Sequence, residues 1–251
     1  MLFRSKAVII THLFGRLAPE IEAIAAFCQE RQILLIEDCA QAHGARRQGR
    51  CAGSFGLASC FSFYPTKNLG ALGDGGAICS GDAAVAERCR QLRQYGWERK
   101  YHSRLAGGRN SRLDELQARL LLIFLKDLDA ENQQRVIVAD RYHRQLQHPL
   151  LCLPPAPQDP EGHVHHLFVV QVAQGRDQLL KHLHSHGVMA DVHYPVPDYA
   201  QPCFEASGPP PRCPETDMLA GRCLSLPCYP DLSPEEQDQV VGAVAAWQPE
   251  T

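Results

Sequence analysis

Short apolar runs alternate with an amphipathic segment at the start of the chain. Residues 7–10, 33–38 and 60–64 are apolar runs of strand length, and continuous apolar strands are typical of parallel sheets buried on both faces. The segment between the first two runs follows Pro19 and has helical spacing of its apolar residues, which are Ile21, Ile24, Ala25 and Cys28. This strand–helix–strand order predicts a βαβ unit and a mostly parallel sheet.

The segments that follow predict further elements of the same domain. Residues 44–56 predict a loop with a short strand pair, and residues 77–80 predict another strand, which we expect to run antiparallel. A helix with Val85, Cys89 and Leu92 on one face should follow and end near Gly96. Residues 95–109 are basic and rich in glycine, which predicts an exposed loop.

The second half of the chain predicts a smaller α+β domain. Residues 111–144 carry long helical periodicity, with five candidate buried positions, Leu113, Leu116, Leu120, Ile123 and Leu128. After a proline-rich link at residues 149–162, the pattern predicts strands at 167–172 and 188–192 and helices at 177–186 and 234–247. We therefore expect a large domain over residues 1–145 and a smaller one over residues 146–251.

Composition excludes several classes of function. The net charge is −3, and the chain has neither the basic tract of a nucleic-acid-binding protein nor an apolar run long enough for a membrane helix. Residues 1–6 lack the pattern of a signal peptide. The eleven cysteines are scattered without CxxC pairs, which favours reduced, buried thiols in a cytoplasmic protein.

Two polar residues follow predicted strands and suggest a catalytic site. Asp38 ends the second run, and Lys67 lies just past the third, which Pro65 terminates. The carboxyl ends of strands line the ligand crevice of open α/β sheets. A partly desolvated lysine suits Schiff-base chemistry, and an acid beside the ring nitrogen of pyridoxal phosphate keeps that nitrogen protonated. The alternatives are a solvated loop lysine and a helix N-cap aspartate.

Five sequence words together resemble the DegT/DnrJ/EryC1/StrS family. They are EDCAQAHGA (37–45), FSFYPTKNLGALGDGGA (61–77), NSRLDELQA (110–118), HYPVP (193–197) and LSLPCYP (224–230). Members of that family are fold-type I, pyridoxal phosphate-dependent aminotransferases of nucleotide-linked keto-sugars. The resemblance covers residues 6–247 in the family's order. It implies an α/β fold with an incomplete, mostly parallel large-domain sheet, and a homodimer or higher oligomer.

The resemblance also implies roles for individual residues. Lys67 would carry the cofactor as a Schiff base, with Asp38 at the ring nitrogen. Gln41 resembles the glutamine that packs near the ring, Ser62 the serine that binds the phosphate, and Asn110 an asparagine that reaches the phosphate from the neighbouring subunit. Local backbone bonding is the alternative for Ser62, and capping of the next helix is the alternative for Asn110.

Three further residues are implied to bind substrate, namely Arg112, His193 and Tyr194. The glycines at residues 70–76 fit neither the P-loop nor the dinucleotide pattern, so we interpret them as a tight turn near the cofactor. Histidines cluster at residues 163–166 and 182–186, yet without acidic or cysteine partners their spacing does not favour a metal site.

The function implied is transfer of an amino group from L-glutamate to a nucleotide-linked 3-keto sugar in amino-sugar biosynthesis. The family has a substantial segment before the point where residue 1 stands, including a helix N-terminus that clamps the cofactor phosphate. We therefore expect an N-terminally shortened chain with a weakened phosphate site. The alternative is a non-catalytic relic or binding subunit of the same family.

Overall fold

The computed structural model describes residues 5–157, 159–208 and 211–249. The chain divides into two compact units, one of residues 1–133 with 157–166 and the other of residues 134–156 with 167–251. The sequence predicted a boundary after residue 145, whereas this division falls inside a helix and returns a later segment to the first unit.

A four-stranded sheet forms the centre of the first unit. The strands of this unit, in chain order, are β1 (Ala7–Thr11), β2 (Leu34–Asp38), β3 (Arg46–Arg47), β4 (Arg50–Cys51), β5 (Ala58–Ser62), β6 (Gly76–Cys79), β7 (Trp97–Arg99) and β8 (His102–Ser103). The sheet has the order β1-β2-β5-β6. β1, β2 and β5 are parallel, and β6 is antiparallel to β5, as the sequence predicted. β5 ends at Ser62, two residues before the predicted end of that strand.

Two short hairpins accompany this sheet. β3 pairs with β4, which confirms the predicted strand pair in residues 44–56. Residues 95–109 are mostly exposed, as predicted, but they form a short hairpin rather than a loop, because β7 pairs with β8. The Trp97 ring contacts the rings of Tyr95 and Tyr101, with centroids 5.2 and 5.6 Å away, which adds aromatic packing to this second hairpin.

Four helices belong wholly or partly to the first unit. They are α1 (Ile21–Glu30), α2 (Ala83–Leu92), α3 (Glu115–Phe124) and α4 (Leu128–Gln145), the last of which continues into the second unit. The Asp82 side chain caps α2 by accepting hydrogen bonds from the Ala84 and Val85 amides. The helical pattern predicted for residues 111–144 corresponds to two helices, α3 and α4, with a break at residues 125–127.

The positions predicted to be buried in this region differ in exposure. Leu128 is buried, but Leu116 is 70% exposed and Ile123 is 45% exposed, so the prediction that these two are buried is wrong. Leu122 is also exposed, at 56%. α3 therefore presents an apolar face that the first unit does not cover.

The second unit is a three-stranded antiparallel sheet with helices. Its elements are β9 (Leu151–Cys152), β10 (Phe168–Val172), α5 (Arg176–Ser185), α6 (Pro214–Arg222), β11 (Cys223–Leu226) and α7 (Pro234–Ala246). The sheet order is β11-β10-β9, and Ser233 and Glu236 form a capping box on α7. The predicted strand at residues 188–192 is reduced to one bridge, between Asp191 and Ser225, and α6 and β11 were not predicted.

The cysteines do not share one environment. Four are buried, namely Cys28, Cys39, Cys223 and Cys228. Five are exposed, namely Cys51, Cys60, Cys79, Cys152 and Cys203, so the prediction of uniformly buried thiols is wrong. Among the residues that the structure describes, no helix is both long enough and apolar enough to cross a membrane.

A buried carboxylate lies at the centre of the first unit. Glu37 on β2 is fully buried. One carboxylate oxygen accepts hydrogen bonds from His12 Nε2 at 3.0 Å and the Gly53 amide at 2.8 Å, and the other accepts from the Phe55 and Gly56 amides, both at 2.7 Å. Burial raises the pKa of Glu37, but these four bonds outweigh burial and hold the pKa below its usual value. Glu37 thus connects β1, β2 and the loop before β5.

We predict that Glu37→Gln destabilises the protein. Whichever oxygen is replaced by an amide nitrogen, that nitrogen will face two donors, and each buried donor without a partner costs about 1–3 kcal/mol. Chemical denaturation should show a loss of about 2–4 kcal/mol in the free energy of unfolding.

Glu30→Gln is the matched control, because the Glu30 side chain lies exposed at the end of α1. Its effect should stay within about 0.5 kcal/mol. Equal stability of Glu37→Gln and the unsubstituted chain would show that the Glu37 network contributes nothing net.

Candidate active site

Asp38 and the segment leading to Lys67 leave the sheet at the same edge. β2 and β5 are parallel, and Asp38 lies opposite Cys60 in their register. Asp38 is half-buried, and its Oδ1 accepts a hydrogen bond from the Ala40 amide at 3.0 Å. Turns rather than a helix follow Asp38, so the alternative that it caps a helix is wrong.

Lys67 lies in a turn five residues past the end of β5. The Lys67 amide donates to the Tyr64 carbonyl at 2.9 Å, and the Ala71 amide donates to the Phe63 carbonyl at 2.8 Å, which closes the turn. The Lys67 side chain is half-buried. Burial lowers its pKa, and the charge of Asp38 acts in the opposite direction without cancelling that effect. This environment differs from that of a solvated loop lysine.

His43 is a buried histidine beside these two residues, and the sequence reasoning did not single it out. Its ring packs against Phe61 and Phe63, with ring centroids 5.5 and 6.0 Å away. Burial lowers the pKa of His43 to about 4; the Ser62 backbone favours the protonated ring, and the charge of Lys67 opposes it. The ring is therefore neutral at pH 7. Its place in the EDCAQAHGA word is the one signal that could have pointed to it.

Gln41 ties the loop after β2 to the loop after β1. It is buried, and its side-chain oxygen accepts a hydrogen bond from the Phe14 amide at 2.6 Å. Phe14 has a φ of 61°, a left-handed conformation that is uncommon for a residue other than glycine. The bond from Gln41 helps to hold that conformation, so Gln41 has a structural role whether or not it contacts a cofactor.

Ser62 and Asn110 make local hydrogen bonds. The Ser62 hydroxyl accepts from the Tyr64 amide at 3.3 Å, which matches the local-bonding alternative without excluding a phosphate contact. Asn110 is exposed, and its side-chain oxygen accepts from Arg112 Nε at 3.0 Å. The alternative that Asn110 caps the next helix is wrong, because α3 begins at Glu115 and Asp114 is its N-cap.

Arg112 lines a cleft on the first unit. This cleft has a volume of about 830 Å³ and extends over Phe63, β6 and α2. Asp38 and Lys67 are not among its lining residues. The cleft therefore does not by itself mark the predicted catalytic site.

His193 and Tyr194 belong to the second unit. His193 Nδ1 is 2.9 Å from the Ser225 hydroxyl, and its Nε2 is 3.9 Å from an Asp191 carboxylate oxygen. Tyr194 is about half exposed. Their predicted contact with substrate stays a prediction.

The histidines of residues 182–186 make hydrogen bonds to the backbone. His182 Nε2, His184 Nε2 and His186 Nδ1 each lie within 2.9 Å of a carbonyl oxygen. Within the described ranges, the residues that approach metal-ligand spacing are His12, Glu37 and Cys39. The Ala18 amide donates to His12 Nδ1, so His12 Nε2 carries the proton that it donates to Glu37. Two of these three side chains are thus joined by a hydrogen bond.

Comparison with known proteins identifies the family. The sequence profile of the DegT/DnrJ/EryC1/StrS aminotransferase family matches residues 3–245. The chain belongs to this family. Its fold is accordingly that of a fold-type I aminotransferase, and the predicted α/β class is confirmed.

Individual relatives carry different names. The chain is 41% identical to a "Pleiotropic regulatory protein" of Geobacillus stearothermophilus, over 97% of this chain and 66% of that protein. It is also 41% identical to dTDP-3-amino-3,4,6-trideoxy-alpha-D-glucose transaminase of Streptomyces venezuelae, over 97% of this chain and 64% of that enzyme. The crystal structure of S. venezuelae DesV superposes with a TM-score of 0.90 at 40% identity, over 98% of this chain and 66% of that one. The chain thus spans about two thirds of the length of these relatives.

The residues of the first unit fit pyridoxal phosphate, the cofactor of aminotransferases in this family. An amine with a lowered pKa, a half-buried carboxylate and the neutral, aromatic-packed ring of His43 lie around one sheet edge. The amine suits the aldehyde of the cofactor, the carboxylate suits its protonated ring nitrogen, and the His43 ring suits its flat aromatic ring.

We predict that His43 makes stability fall as the pH falls. The unfolded chain takes up a proton at His43 near the ordinary pKa of about 6.5, whereas the folded chain does so only near pH 4. Stability is therefore lost as the pH falls from about 6.5 towards 4. In His43→Phe, the loss of unfolding free energy between pH 7 and pH 5 should be smaller by on the order of 1–2 kcal/mol.

Urea denaturation at pH 5, 7 and 9 measures this effect. Between pH 7 and pH 9 the free energy of unfolding should change alike in the two proteins, because the His43 ring is neutral in both the folded and the unfolded chain. The same loss between pH 7 and pH 5 in both proteins would contradict the assignment of a buried, neutral His43.

Proposed function

We propose that this chain catalyses the pyridoxal phosphate-dependent transfer of an amino group from an amino acid to a nucleotide-linked keto-sugar. The observation that carries the proposal is Lys67, a half-buried amine whose pKa is lowered by burial and whose charged neighbour is Asp38. Membership of an aminotransferase family supports it.

Lys67 and Asp38 would divide the chemistry between them. When bound, pyridoxal phosphate supplies an aldehyde that takes an amino group and a ring that accepts electrons. Lys67 Nζ would hold the cofactor covalently and, when free, would move a proton at the substrate carbon; its lowered pKa leaves more of the neutral amine for both tasks. The Asp38 carboxylate would accept a hydrogen bond from the protonated ring nitrogen.

The remaining predicted residues would bind and orient the ligands. Ser62 and Asn110 would contribute donors to the cofactor phosphate, and Gln41 would pack near the ring. Arg112, His193 and Tyr194 would contact the nucleotide-sugar. These assignments rest on the matching positions of the family words in this sequence.

The finer description of the substrate is also a proposal. We infer a 3-keto sugar, because the name of the S. venezuelae relative places its amino group at carbon 3. The amino donor that the family resemblance implies is L-glutamate. A non-catalytic binding subunit is the second candidate, and the relative named as a regulatory protein favours it.

We predict that Lys67→Ala abolishes covalent retention of pyridoxal phosphate and all amino transfer. The purified chain is mixed with cofactor, reduced with borohydride and digested, and mass spectrometry locates the modified peptide. Without the Lys67 amine, the turn after β5 contains no lysine that could form the covalent bond.

Lys100→Ala is the control for this experiment, since Lys100 lies exposed beside the Tyr101 ring, 5.1 Å from its centroid. It should retain the adduct at Lys67. A specific adduct at another lysine in Lys67→Ala would refute the assignment, and no adduct in the unsubstituted chain would favour the non-catalytic candidate.

We further propose that two copies of the chain associate through the exposed face of α3, defined by Leu116, Leu122 and Ile123. These apolar side chains follow the exposed Asn110, which the resemblance assigns to the neighbouring subunit's phosphate site. Exposed apolar patches on soluble proteins commonly mark interaction sites.

Sedimentation should show that the unsubstituted chain is dimeric and that Leu116→Glu with Ile123→Glu is monomeric, because buried unpaired carboxylates oppose association. Met189→Glu is the control, since Met189 is 76% exposed in the second unit. It should leave the sedimentation coefficient unchanged. A dimer that persists in the double variant would place the contact elsewhere.

A further inference from the structure

The residue after Lys67 is the centre of a buried hydrogen-bond network. Asn68 is only 6% exposed. Its Nδ2 donates to Asn132 Oδ1 at 2.7 Å and to the Val164 carbonyl at 3.0 Å, and its Oδ1 lies 3.0 Å from His166 Nδ1. Both polar atoms of this amide are therefore engaged.

The pattern of donors settles the orientation of the groups. Asn68 Nδ2 faces two oxygen atoms, so the nitrogen of the amide points towards Asn132 and Val164. Its oxygen can only accept, which means that His166 Nδ1 carries a proton and donates to it. This tautomer of His166 follows from the network alone.

Asn132 extends the network to the other side of the site. It lies near the start of α4, is 6% exposed, and donates from Nδ2 to the His43 carbonyl at 2.8 Å. Gly44 adopts a φ of +85°, and a Cβ there would come within 2.7 Å of Asn132 Nδ2. Helix α4, the loop of His43 and the turn of Lys67 are thus joined by one amide.

We propose that Asn68, Asn132 and His166 are positioning residues, which hold the turn of Lys67 so that its amine stays half-buried beside Asp38. The proposal rests on the proposed function only through the role given to Lys67. Backbone hydrogen bonds close the turn itself, and the Asn68 side chain connects the residue next to Lys67 with α4 and with the segment of Val164. Loosening the network should let the Lys67 amine move towards water.

The experiment measures the reactivity of Lys67 in the cofactor-free chain of residues 1–251. Trace acetylation with acetic anhydride between pH 6.5 and 11, followed by peptide mass spectrometry, gives the midpoint for each lysine, and Lys100 provides the internal standard. Of the titratable neighbours of Lys67, His43 has a pKa of about 4, so its ring does not titrate in this range. Asp38 is the other such neighbour.

We expect Asn132→Leu to move the Lys67 midpoint upwards, towards the value of about 10.4 for an ordinary lysine. Each unit of that shift lowers the rate of acetylation well below the midpoint about tenfold. His166→Leu should shift it in the same direction, and His166→Asn should restore the original midpoint, because an asparagine amide can place a donor where Nδ1 stands.

Val138→Ala is the matched control on the same helix. Val138 is 2% exposed and packs in the core of the second unit, so this variant should lower the free energy of unfolding and leave the Lys67 midpoint unchanged. An unchanged midpoint in both Asn132→Leu and His166→Leu, or an equal shift in Val138→Ala, would overturn the proposal.

The test of the positioning network and the test of the proposed function give separate results. Borohydride reduction of the unsubstituted chain tests whether Lys67 takes the cofactor at all. A midpoint shift without a reducible adduct would support the positioning network and reject the catalytic role. A reducible adduct without a midpoint shift would support the catalytic role and reject the positioning network.

Discussion

A fully buried carboxylate constrains the first unit. An isolated charge in the interior is very costly, so Glu37 can be buried only if donors surround it. The donors are His12 Nε2 and the backbone amides of Gly53, Phe55 and Gly56. These bonds hold the loop before β5 against the end of β1. Because that loop leads into β5, the same constraint determines where β5 begins and in which register it pairs with β2.

The alternation of a strand then gives two neighbouring acids different roles. Successive side chains of a strand point to opposite faces. Glu37 points into the interior, and Asp38 is half-buried at the sheet edge. The sequence singled out Asp38 as the functional acid at this strand end, whereas the fully buried acid that accepts four hydrogen bonds is Glu37. Hydropathy alone does not distinguish the two residues.

Local patterns predicted much of the fold because they depend on near neighbours. The strands of the main sheet, the antiparallel β6 and the last helix follow from apolar runs, glycines and helical periodicity. The break between α3 and α4 did not, since residues 125–127 contain neither glycine nor proline. The exposed side chains of α3 have the spacing of buried ones, so periodicity predicted burial that the first unit does not provide.

The parts of the candidate site that sequence reasoning missed depend on distant residues. Asn132 and His166 lie 64 and 98 positions from Asn68, and no local pattern links an asparagine in a turn to either of them. Lys67 and Asp38 could be proposed because each follows its own strand, and parallel strands bring their carboxyl ends together.

The balance of charges at Lys67 follows from this arrangement. Burial lowers the pKa of the amine, and Asp38 raises it, yet burial prevails. Asp38 is open enough to water for its charge to be partly screened, which weakens its hold on the amine. A carboxylate as deeply buried as Glu37 in its place would interact more strongly and favour the charged ammonium. The separation of the two acids, one saturated in the interior and one half-buried at the edge, therefore leaves Lys67 with a lowered pKa and Asp38 accessible to a ligand.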